Sequence, residues 1–473
     1  LTTAPYDHGG TPVWTPDGET LLLSANRHED AALDPLNTEI YAVDVSSGSV
    51  SALTTRAGPD GDVAVSPDGS TIAYTGFDDR EQGYQVTKLY LMDRDGTNAR
   101  VLTEGFGHDV QNPTFTDSGE RIVFRYVDEG STKIGSITLD GSRQVVAEQV
   151  GGTSIGRPYT SGSFSLAAEG RVAYTHATAQ RPADVAVARA GRDPRVVTSL
   201  NDDLFDQVQL GSVEEFTYPS SHDGKTIEGW IVTPPNFDAS KEYPLVLEIH
   251  GGPFASYGPY FSAEVQLYAA AGYVVLYTNP RGSTSYGQAF GNAIHHDYPG
   301  HDVDDLLSGV DAVLERGYVD EDRLFVTGGS GGGVLTAWIV GHTDRFRAAV
   351  AAKPVVNWYS WALTADMYPY GVKYWFPGMP WNHRDHYMDR SPIAHVDHVT
   401  TPTMLLTGTE DYRTPMSEAE QFYQALKLRE VKAALVRVPG AAHGIAARPS
   451  QLAAKAAHVL EWFQRHGGPA SGK

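Results

Sequence analysis

The fold is decided by the stretch Arg323-Leu-Phe-Val-Thr-Gly-Gly-Ser-Gly-Gly-Gly-Val-Leu-Thr-Ala-Trp338. Leu324 to Val326 are predicted to form a short buried strand, and Val334 to Val340 a helix that ends at Gly341. Between them lies a G-x-S-x-G pattern centred on Ser330, typical of a sharp strand-to-helix turn that holds a nucleophilic serine above a sheet. Taken alone, the pattern also fits a glycine-rich loop that packs a helix close to a sheet.

The same pattern occurs a second time, at Gly152-Thr-Ser-Ile-Gly156. No strand pattern precedes this copy, and Arg157-Pro158 follows it where a helix would have to begin. Because the motif has meaning only between a strand and a helix, we expect the nucleophile to be Ser330 and not Ser154.

Length and composition indicate an ordinary globular protein. A chain of 473 residues predicts two domains, and 41% hydrophobic and 20% charged residues are usual values. The longest apolar run, Tyr268 to Tyr277, is too short to span a membrane. No signal-peptide pattern is present at the start, and the absence of cysteine leaves a reducing cytoplasm as the default location.

Cysteine content and net charge exclude several functions. The absence of cysteine excludes disulfides, thiolate metal sites and cysteine nucleophiles, and we expect no cofactor and no metal. A net charge of −22 argues against binding to nucleic acid or to an anionic membrane, and a solvated surface explains it most simply. Assembly into a homo-oligomer stays open.

The first half of the chain is a repeat. Turn glycines recur about every 50 residues, a period typical of β-propeller blades: Gly18, Gly69, Gly119 and Gly170. A strand pattern follows each turn, at Thr20–Ser24, Thr71–Thr75, Arg121–Arg125 and Arg171–Thr175. A second hairpin in each unit begins with Glu39–Asp44, Lys88–Asp93, Ile134–Thr138 and Asp184–Ala188. Residues 1–212 are therefore predicted to form about four blades of a β-propeller that is incomplete at its N-terminus; a β-sandwich is the alternative.

Residues 213–473 are predicted to form a doubly wound α/β domain. Strand patterns alternate with helical segments, after an opening hairpin around Asp223-Gly224. The predicted strands are Leu245–Ile249, Tyr273–Thr278, Leu324–Val326, Ala348–Ala352, Thr403–Leu406 and Ala433–Val438, and the main helices are Val303–Arg316, Ser417–Leu428 and Ser450–Arg465. Such a sheet places its active site at the carboxyl ends of its strands.

Two further side chains follow strands after Ser330 in the chain. Asp411 lies just beyond the strand that begins at Thr403, and His443 just beyond the strand that ends at Val438. The order Ser, Asp, His is that of an α/β hydrolase. We therefore expect His443 to act as the base and Asp411 to orient it, in preference to the neighbouring Glu410.

The oxyanion formed during acyl transfer requires backbone donors. One is the amide of Gly331 at the helix N-terminus, and the other is expected near Gly252, in the turn His250-Gly-Gly-Pro253 that follows a strand. The turn also fits an ordinary strand end. No proton-transfer role is assigned to His250.

These stretches resemble the prolyl oligopeptidase family of serine peptidases, and within it the acylaminoacyl-peptidase-like branch. The resemblance covers the second half of the chain through His250–Pro253, Asn279–Gly287, Gly328–Gly332, Asp411–Pro415 and Gly440–Gly444. It implies hydrolysis of short peptides through an acyl-enzyme, with a propeller that restricts access to the triad. Family members usually have a fuller propeller, and often a segment before it, from which groups that recognise the end of a peptide can come, so the resemblance leaves that end open. Several members carry a tyrosine hydroxyl as an oxyanion donor at the position of His250, so the resemblance implies no such side-chain donor here.

The resemblance also assigns substrate contacts. Arg413, two residues after Asp411, takes the place of an arginine that binds a substrate carbonyl near the scissile bond. Trp358, Tyr359 and Trp361 follow the strand Ala348–Ala352 and are expected either to line an apolar specificity pocket or to pack in the core.

Two other functions use the same residues. An esterase-type α/β hydrolase can share the turn and the triad, and a propeller binding module can carry an inactive hydrolase-like domain. Rapid cleavage of esters without cleavage of amides would indicate the esterase. Failure of Ser330 to react with a fluorophosphonate would indicate the inactive domain.

Overall fold

The computed structural model describes residue 6 and residues 8–468. The first half of the chain forms four antiparallel sheets, each of four strands paired in chain order. The strands are β1 His8–Trp14, β2 Thr20–Ala25, β3 Glu39–Asp44, β4 Val50–Ala52, β5 Asp60–Val65, β6 Thr71–Gly76, β7 Lys88–Asp93, β8 Arg100–Val101, β9 Gln111–Phe115, β10 Arg121–Asp128, β11 Ser131–Thr138, β12 Arg143–Ala147, β13 Phe164–Ala167, β14 Arg171–Thr178, β15 Arg181–Arg189 and β16 Arg192–Val196.

The repeat in the sequence is a repeat in the packing. The four predicted turns join the first and second strands of each sheet, and Gly18 has φ 73° there, a conformation that suits glycine. The second strands place one apolar side chain each at equivalent positions about 50 residues apart, all at most 1% exposed: Leu22, Ile72, Ile122 and Val172. The prediction of propeller-like four-stranded units is confirmed.

The second half of the chain builds one mixed sheet of eight strands. The strands are β17 Val213–Pro219, β18 Thr226–Val232, β19 Tyr243–Ile249, β20 Val274–Asn279, β21 Val319–Gly329, β22 Ala348–Ala352, β23 Thr403–Gly408 and β24 Ala433–Val438. Their order is β17-β18-β20-β19-β21-β22-β23-β24, antiparallel for the first three and parallel from β20 onward. The predicted α/β hydrolase fold is confirmed, and the domain boundary predicted between residues 212 and 213 stays a prediction.

Helices cover both faces of the sheet, as expected for a mostly parallel sheet. The α-helices are α1 Asp202–Phe205, α2 Ala263–Ala270, α3 Gln288–Gly291, α4 Asp302–Leu314, α5 Gly331–Val340, α6 Trp358–Trp361, α7 Tyr368–Tyr374, α8 Arg384–Asp389, α9 Met416–Leu428 and α10 Pro449–Arg465, and short 3-10 turns lie at Ala168–Gly170, Asn292–Ile294 and Pro392–His398. All residues of β20 and β22 are buried. Among residues 8–468, no helix is long and apolar enough to cross a membrane.

The helix after the turn begins earlier than the sequence predicts. We expected its first residue at Val334, but α5 begins at Gly331 and takes in three consecutive glycines. Glycine is a poor helix former, so its propensity alone does not predict helix here. Close packing explains why glycine is nevertheless needed here, because a Cβ on Gly333 would lie 2.4 Å from the carbonyl oxygen of Ala352 in β22.

A buried charge network joins the propeller to the hydrolase sheet. Arg157, in the loop between β12 and β13, lies 3.0 Å from Glu248 of β19 and 3.4 Å from Glu264 of α2. Lys455 of α10 lies 2.6 Å from the same Glu264 carboxylate. The hydroxyl of Tyr257 donates to Glu248 at 3.2 Å. Two carboxylates and two cations are thus removed from water together, and each depends on its partners.

Replacement of Arg157 is expected to destabilise the protein strongly. In Arg157→Met, Glu248 is left in the interior without its cation, and the free energy of unfolding should fall by about 3–5 kcal/mol. Urea denaturation measures this change. Arg189→Met is the matched control, because its partner Glu169 is mostly exposed and the pair should contribute less than about 1 kcal/mol. If the free energy of unfolding fell by the same small amount in both variants, a structural role for the network would be contradicted.

Candidate active site

Ser330 lies at a strained turn between β21 and α5. Its backbone has φ 61° and ψ −121°, and its amide donates to the carbonyl of Ala352 at 3.0 Å. The flanking glycines make the turn possible, because a Cβ on Gly328 would lie 2.4 Å from the carbonyl oxygen of Gly332, and one on Gly332 would lie 2.1 Å from that of Ile249. The turn therefore presents the serine side chain at the carboxyl end of the sheet.

The structure brings Ser330, His443 and Asp411 together. Ser330 Oγ lies 3.0 Å from His443 Nε2, and His443 Nδ1 lies 2.9 Å from Asp411 Oδ2 and 3.0 Å from Oδ1. Asp411 is buried, whereas the competing Glu410 is exposed. This is the arrangement of a nucleophile, a base and an orienting carboxylate.

The carboxylate of Asp411 is held in its ionised form. Burial opposes its ionisation, but hydrogen bonds from His443 and Thr414 outweigh burial and lower the pKa below its usual range. Thr414 donates through its amide at 2.9 Å and its hydroxyl at 3.0 Å, and the amide of Arg413 donates at 3.0 Å. Asp411 can therefore fix the imidazole tautomer that leaves Nε2 free to accept a proton.

His443 is kept neutral. Desolvation lowers the pKa of His443, the hydrogen bond to Asp411 only partly offsets this, and the positive charge of Lys353 adds to the lowering. Lys353 follows β22, and its Nζ donates to the carbonyl oxygen of His443 at 2.8 Å. Desolvation lowers the pKa of Lys353 itself to about 7. Sequence reasoning missed Lys353, although a lysine directly after a strand of buried alanine and valine was an available signal.

The predicted oxyanion donors lie next to each other. A Cβ on Gly331 would lie 3.1 Å from the amide nitrogen of Gly252, so the two backbones are in close contact. Within residues 8–468 neither amide has a hydrogen-bond acceptor. Both are therefore free to receive a developing oxyanion.

His250 is a structural residue. Its Nδ1 donates to the carbonyl of Gly251 at 2.8 Å, and its Nε2 is hydrogen-bonded to Ser283 Oγ at 2.9 Å. Desolvation lowers the pKa of His250 to about 4, so the ring is neutral at physiological pH. With both nitrogens occupied, the ring has no donor left for an oxyanion.

The propeller contributes to the site, which the sequence did not indicate. The hydroxyl of Tyr159 accepts a hydrogen bond from the amide of Gly251 at 2.7 Å, and its ring packs edge-on against Tyr257 at 4.8 Å. Because Tyr159 lies between β12 and β13, a propeller loop supports the turn that carries Gly252. No local pattern marks a contact between segments so far apart in sequence.

A cavity of about 190 Å³ opens beside Ser330. It is lined by Gly252, Tyr298, Ser330, Gly331, Val334, Val355, Trp358, Trp361, Met367, Trp375, Arg413, Thr414 and His443. Trp358 and Trp361, each 1% exposed, belong both to the cavity wall and to the core, and a role of the cavity in substrate specificity stays a prediction. Tyr359 does not line the cavity and instead packs edge-on near Tyr387.

The sequence missed two aromatic residues of this wall. Tyr298 donates its hydroxyl to the carbonyl of Gly331 at 2.9 Å, and Trp375 stacks on Trp361 at 5.7 Å. The aromatic density of residues 368–376 was a signal for Trp375, whereas nothing near Tyr298 pointed to it.

Arg413 lies at the edge of the cavity. Its Nε donates to Asp366 Oδ1 at 2.7 Å, and both side chains are 46% exposed. In the described part of the chain, His222, His301 and Asp304 have possible metal-ligand atoms within 4.8 Å of one another, but this group does not line the cavity.

Comparison with known proteins agrees with this geometry. Residues 259–469 match the prolyl oligopeptidase family. The uncharacterized peptidase YuxL of Bacillus subtilis is 33% identical over 98% of this chain and 84% of the relative, and dipeptidyl-peptidase 5 of Porphyromonas gingivalis is 27% identical over 91% of this chain and 63% of the relative. The solved acylaminoacyl peptidase of Pyrococcus horikoshii shares the fold, with a TM-score of 0.84 at 24% identity over 98% of this chain and 72% of that chain. The chain belongs to the prolyl oligopeptidase family of serine peptidases.

Proposed function

We propose that the protein hydrolyses short peptides through an acyl-enzyme on Ser330, with His443 as the base and Asp411 as its orienting carboxylate. The contact of 3.0 Å between Ser330 Oγ and His443 Nε2, at a strained turn, is the observation that carries the proposal. The cytoplasmic location expected from the composition stays a prediction.

The first half of the reaction forms the acyl-enzyme. Ser330 Oγ attacks the scissile carbonyl carbon while its proton passes to His443 Nε2, and the carbonyl oxygen becomes an oxyanion between the amides of Gly252 and Gly331. The C–N bond then breaks as the imidazolium returns the proton to the leaving amine. Asp411 stabilises the positive charge of His443 in both steps.

The second half releases the acyl group. A water molecule gives a proton to His443 and attacks the ester carbonyl, the same two amides hold the oxyanion, and the proton returns to Ser330 Oγ as the ester bond breaks. The apolar walls formed by Trp358, Trp361 and Trp375 favour an apolar side chain next to the scissile bond.

The propeller is proposed to restrict the size of the substrate. Propeller segments contact the hydrolase domain around the site: the amide of Tyr84 donates to Asn292 Oδ1 at 3.1 Å, the amide of Thr160 donates to the carbonyl of Ser256 at 3.1 Å, and Asp79 accepts from the hydroxyl of Tyr374 at 2.8 Å. Such a cover favours short, flexible peptides over folded proteins. Relatives named as acylaminoacyl peptidase and dipeptidyl-peptidase support this substrate class, and membership of the family does not favour an esterase or an inactive binding module.

Ser330→Ala should abolish hydrolysis. Loss of the nucleophile is expected to lower kcat by a factor on the order of 10⁶ while leaving peptide binding nearly intact. Cleavage of free, N-acetylated and C-terminally blocked peptides is measured by mass spectrometry. Reaction of the serine is measured by labelling of the protein with a fluorophosphonate probe. Ser154→Ala is the matched control, because Ser154 has the same motif and its hydroxyl only donates to the carbonyl of Arg157. Labelling of Ser330→Ala would refute the assignment.

Activity should fall only in mildly acidic solution. His443 acts as a base when neutral, so kcat/KM is lost as the pH falls through its pKa. Because that pKa is lowered from 6.5, the midpoint of the acid limb should lie below pH 6.5. A profile of kcat/KM between pH 4 and 8 gives this midpoint.

Lys353→Met tests the cause of that lowered pKa. Removal of the positive charge beside His443 should raise the midpoint of the acid limb, since a nearby cation disfavours imidazolium. The exposed Lys427→Met serves as the control with the same change in net charge and should leave the midpoint in place. A midpoint that does not move in Lys353→Met would exclude an electrostatic effect of Lys353 on His443.

Arg413→Ala should impair peptides more than esters. If the guanidinium binds a substrate carbonyl, its loss should lower kcat/KM for peptides by roughly tenfold or more, and less for short acyl esters that lack this carbonyl. The exposed Arg465→Ala, which loses a pair with Glu461, is the control. Equal losses on the two substrate classes would remove the proposed contact.

A further inference from the structure

A second, larger cavity lies between the propeller and the hydrolase domain. Its volume is about 460 Å³. It is lined by Leu36, Phe77, Gln82, Gly83, Tyr84, Gln85, Thr87, Asp109, Gln111, Arg125, Val127, Thr132, Thr160 and Ser161 of the propeller and by Phe254, Thr284, Ser285 and Tyr370 of the hydrolase domain. Nothing in the proposed mechanism uses its one cation, Arg125.

Arg125 has no carboxylate partner. Its Nε and Nη2 donate to the side-chain oxygen of Gln111, and its Nη1 donates to the carbonyl of Gly162. Within residues 8–468 no carboxylate lies within 4.0 Å of it, whereas the buried cations Arg157, Arg281 and Lys455 each have one. Three of its five N–H groups are occupied, which leaves two for a ligand.

Two hydroxyl groups that line the same cavity as Arg125 also lack partners. Thr132 Oγ1 and Ser161 Oγ line the same cavity, are buried, and form no hydrogen bond with any described residue. A buried hydroxyl without a partner costs free energy, so such groups usually have a ligand or an ordered water. With the guanidinium they form a set of hydrogen-bond donors, and a set of donors suits an anion.

The acidic group of the cavity is already occupied. Asp109 accepts from the hydroxyl of Tyr84 and from the amide of Thr87, each at 2.7 Å. Each of its two oxygens thus already accepts one hydrogen bond from the propeller. The chain as a whole carries a net charge of −22, which repels anions. Within this cavity, the positive charge of Arg125 attracts them.

The larger cavity adjoins the active site. Gly252 lines the small cavity and Phe254, two residues later, lines the large one. The rings of Phe254 and Tyr370 lie 6.3 Å and 6.1 Å from Trp375, which belongs to the small cavity. These rings therefore separate two neighbouring cavities, and a peptide with its scissile bond at Ser330 would have to extend past them to enter the second one.

We propose that Arg125, with the hydroxyls of Thr132 and Ser161, binds a carboxylate group of the peptide substrate. This inference rests on the proposed peptidase function and adds a charge preference to it. The carboxylate is either the C-terminal group of a short peptide or the side chain of Asp or Glu, since both present the same two oxygens to a guanidinium.

Four forms of one peptide distinguish these sources. The C-terminus is a free acid or an amide, and the residue nearest to it is Glu or Gln. If the site forms a charge-assisted hydrogen bond, the wild-type protein should prefer the peptide that carries the recognised carboxylate. The kcat/KM for this peptide should be roughly 10- to 100-fold higher than the kcat/KM for the neutral form. The acid–amide pair tests the C-terminal group, and the Glu–Gln pair tests the side chain. Equal kcat/KM for all four forms would overturn the proposal.

Arg125→Met should remove the preference, and Arg125→Lys should restore part of it. Arg121→Met is the matched control on the same strand, because Arg121 donates to Ser136 and does not line the cavity. It should keep the wild-type ratio between charged and neutral peptides. If Arg125→Met lowered kcat/KM for charged and neutral forms by the same factor, Arg125 would be a structural residue only.

Binding without turnover separates this proposal from the peptidase proposal. Calorimetry with Ser330→Ala measures the affinity for the charged and the neutral peptides directly. Tighter binding of the charged form, lost in the Ser330→Ala, Arg125→Met double variant, supports the carboxylate site even if the wild-type protein cleaves none of these peptides. Equal affinities refute the site even if cleavage is efficient.

Discussion

The backbone of Ser330 is held at φ 61° and ψ −121°, a conformation that costs an L-residue roughly 1–3 kcal/mol and persists only where its surroundings enforce it. Here the enforcement comes from β22, whose Ala352 carbonyl accepts the Ser330 amide, and from close contact of Gly332 with the end of β19. The position of the nucleophile is thus set by three adjacent strands of the sheet. The distances to His443 and Gly252 follow from it, because both lie at the ends of strands in the same sheet.

The propeller supports this geometry as well as covering it. Arg157 pairs with Glu248 inside β19, and Tyr159, two residues later, accepts from the amide of Gly251 just beyond that strand. One propeller loop therefore fixes both the strand and the turn that carries the Gly252 amide. Since an oxyanion donor is effective only when it is held in place before the reaction, loosening this loop would weaken catalysis without touching the triad.

Most of the fold and the triad could be predicted from sequence because their signals are local. Each blade has a turn glycine and alternating strands, and each member of the triad directly follows a strand of a sheet whose carboxyl ends share one edge. The contacts through which Arg157 and Tyr159 support the site could not be predicted. They join segments about 100 residues apart and leave no periodic pattern in the sequence.

The cavity beside Ser330 shows a different limit of prediction from sequence. Trp358 and Trp361 lie three residues apart on the single turn α6, so they share one face of it, and Tyr359 lies on another. Sequence alone predicted all three as candidates because it did not place a helix there. The start of α5 at Gly331 escaped prediction for a related reason: the close contacts that require glycine at Gly332 and Gly333 are made with other strands, and helix propensity contains no information on them.

Charge is distributed unevenly between surface and site. The chain has 58 acidic and 36 basic residues, and its most deeply buried cations are neutralised by carboxylates. Two cations near the chemistry are not: Lys353 donates to the carbonyl of His443, and Arg125 donates to Gln111 and Gly162. Both are partly buried, and a partly buried cation without a directly paired carboxylate is costly to the fold. This cost is expected where the charge has a function. The charge of Lys353, for example, lowers the pKa of His443. The same reasoning leads from Arg125 to the substrate, because the cavity around it is lined by residues of both domains and lies beside the cavity at Ser330.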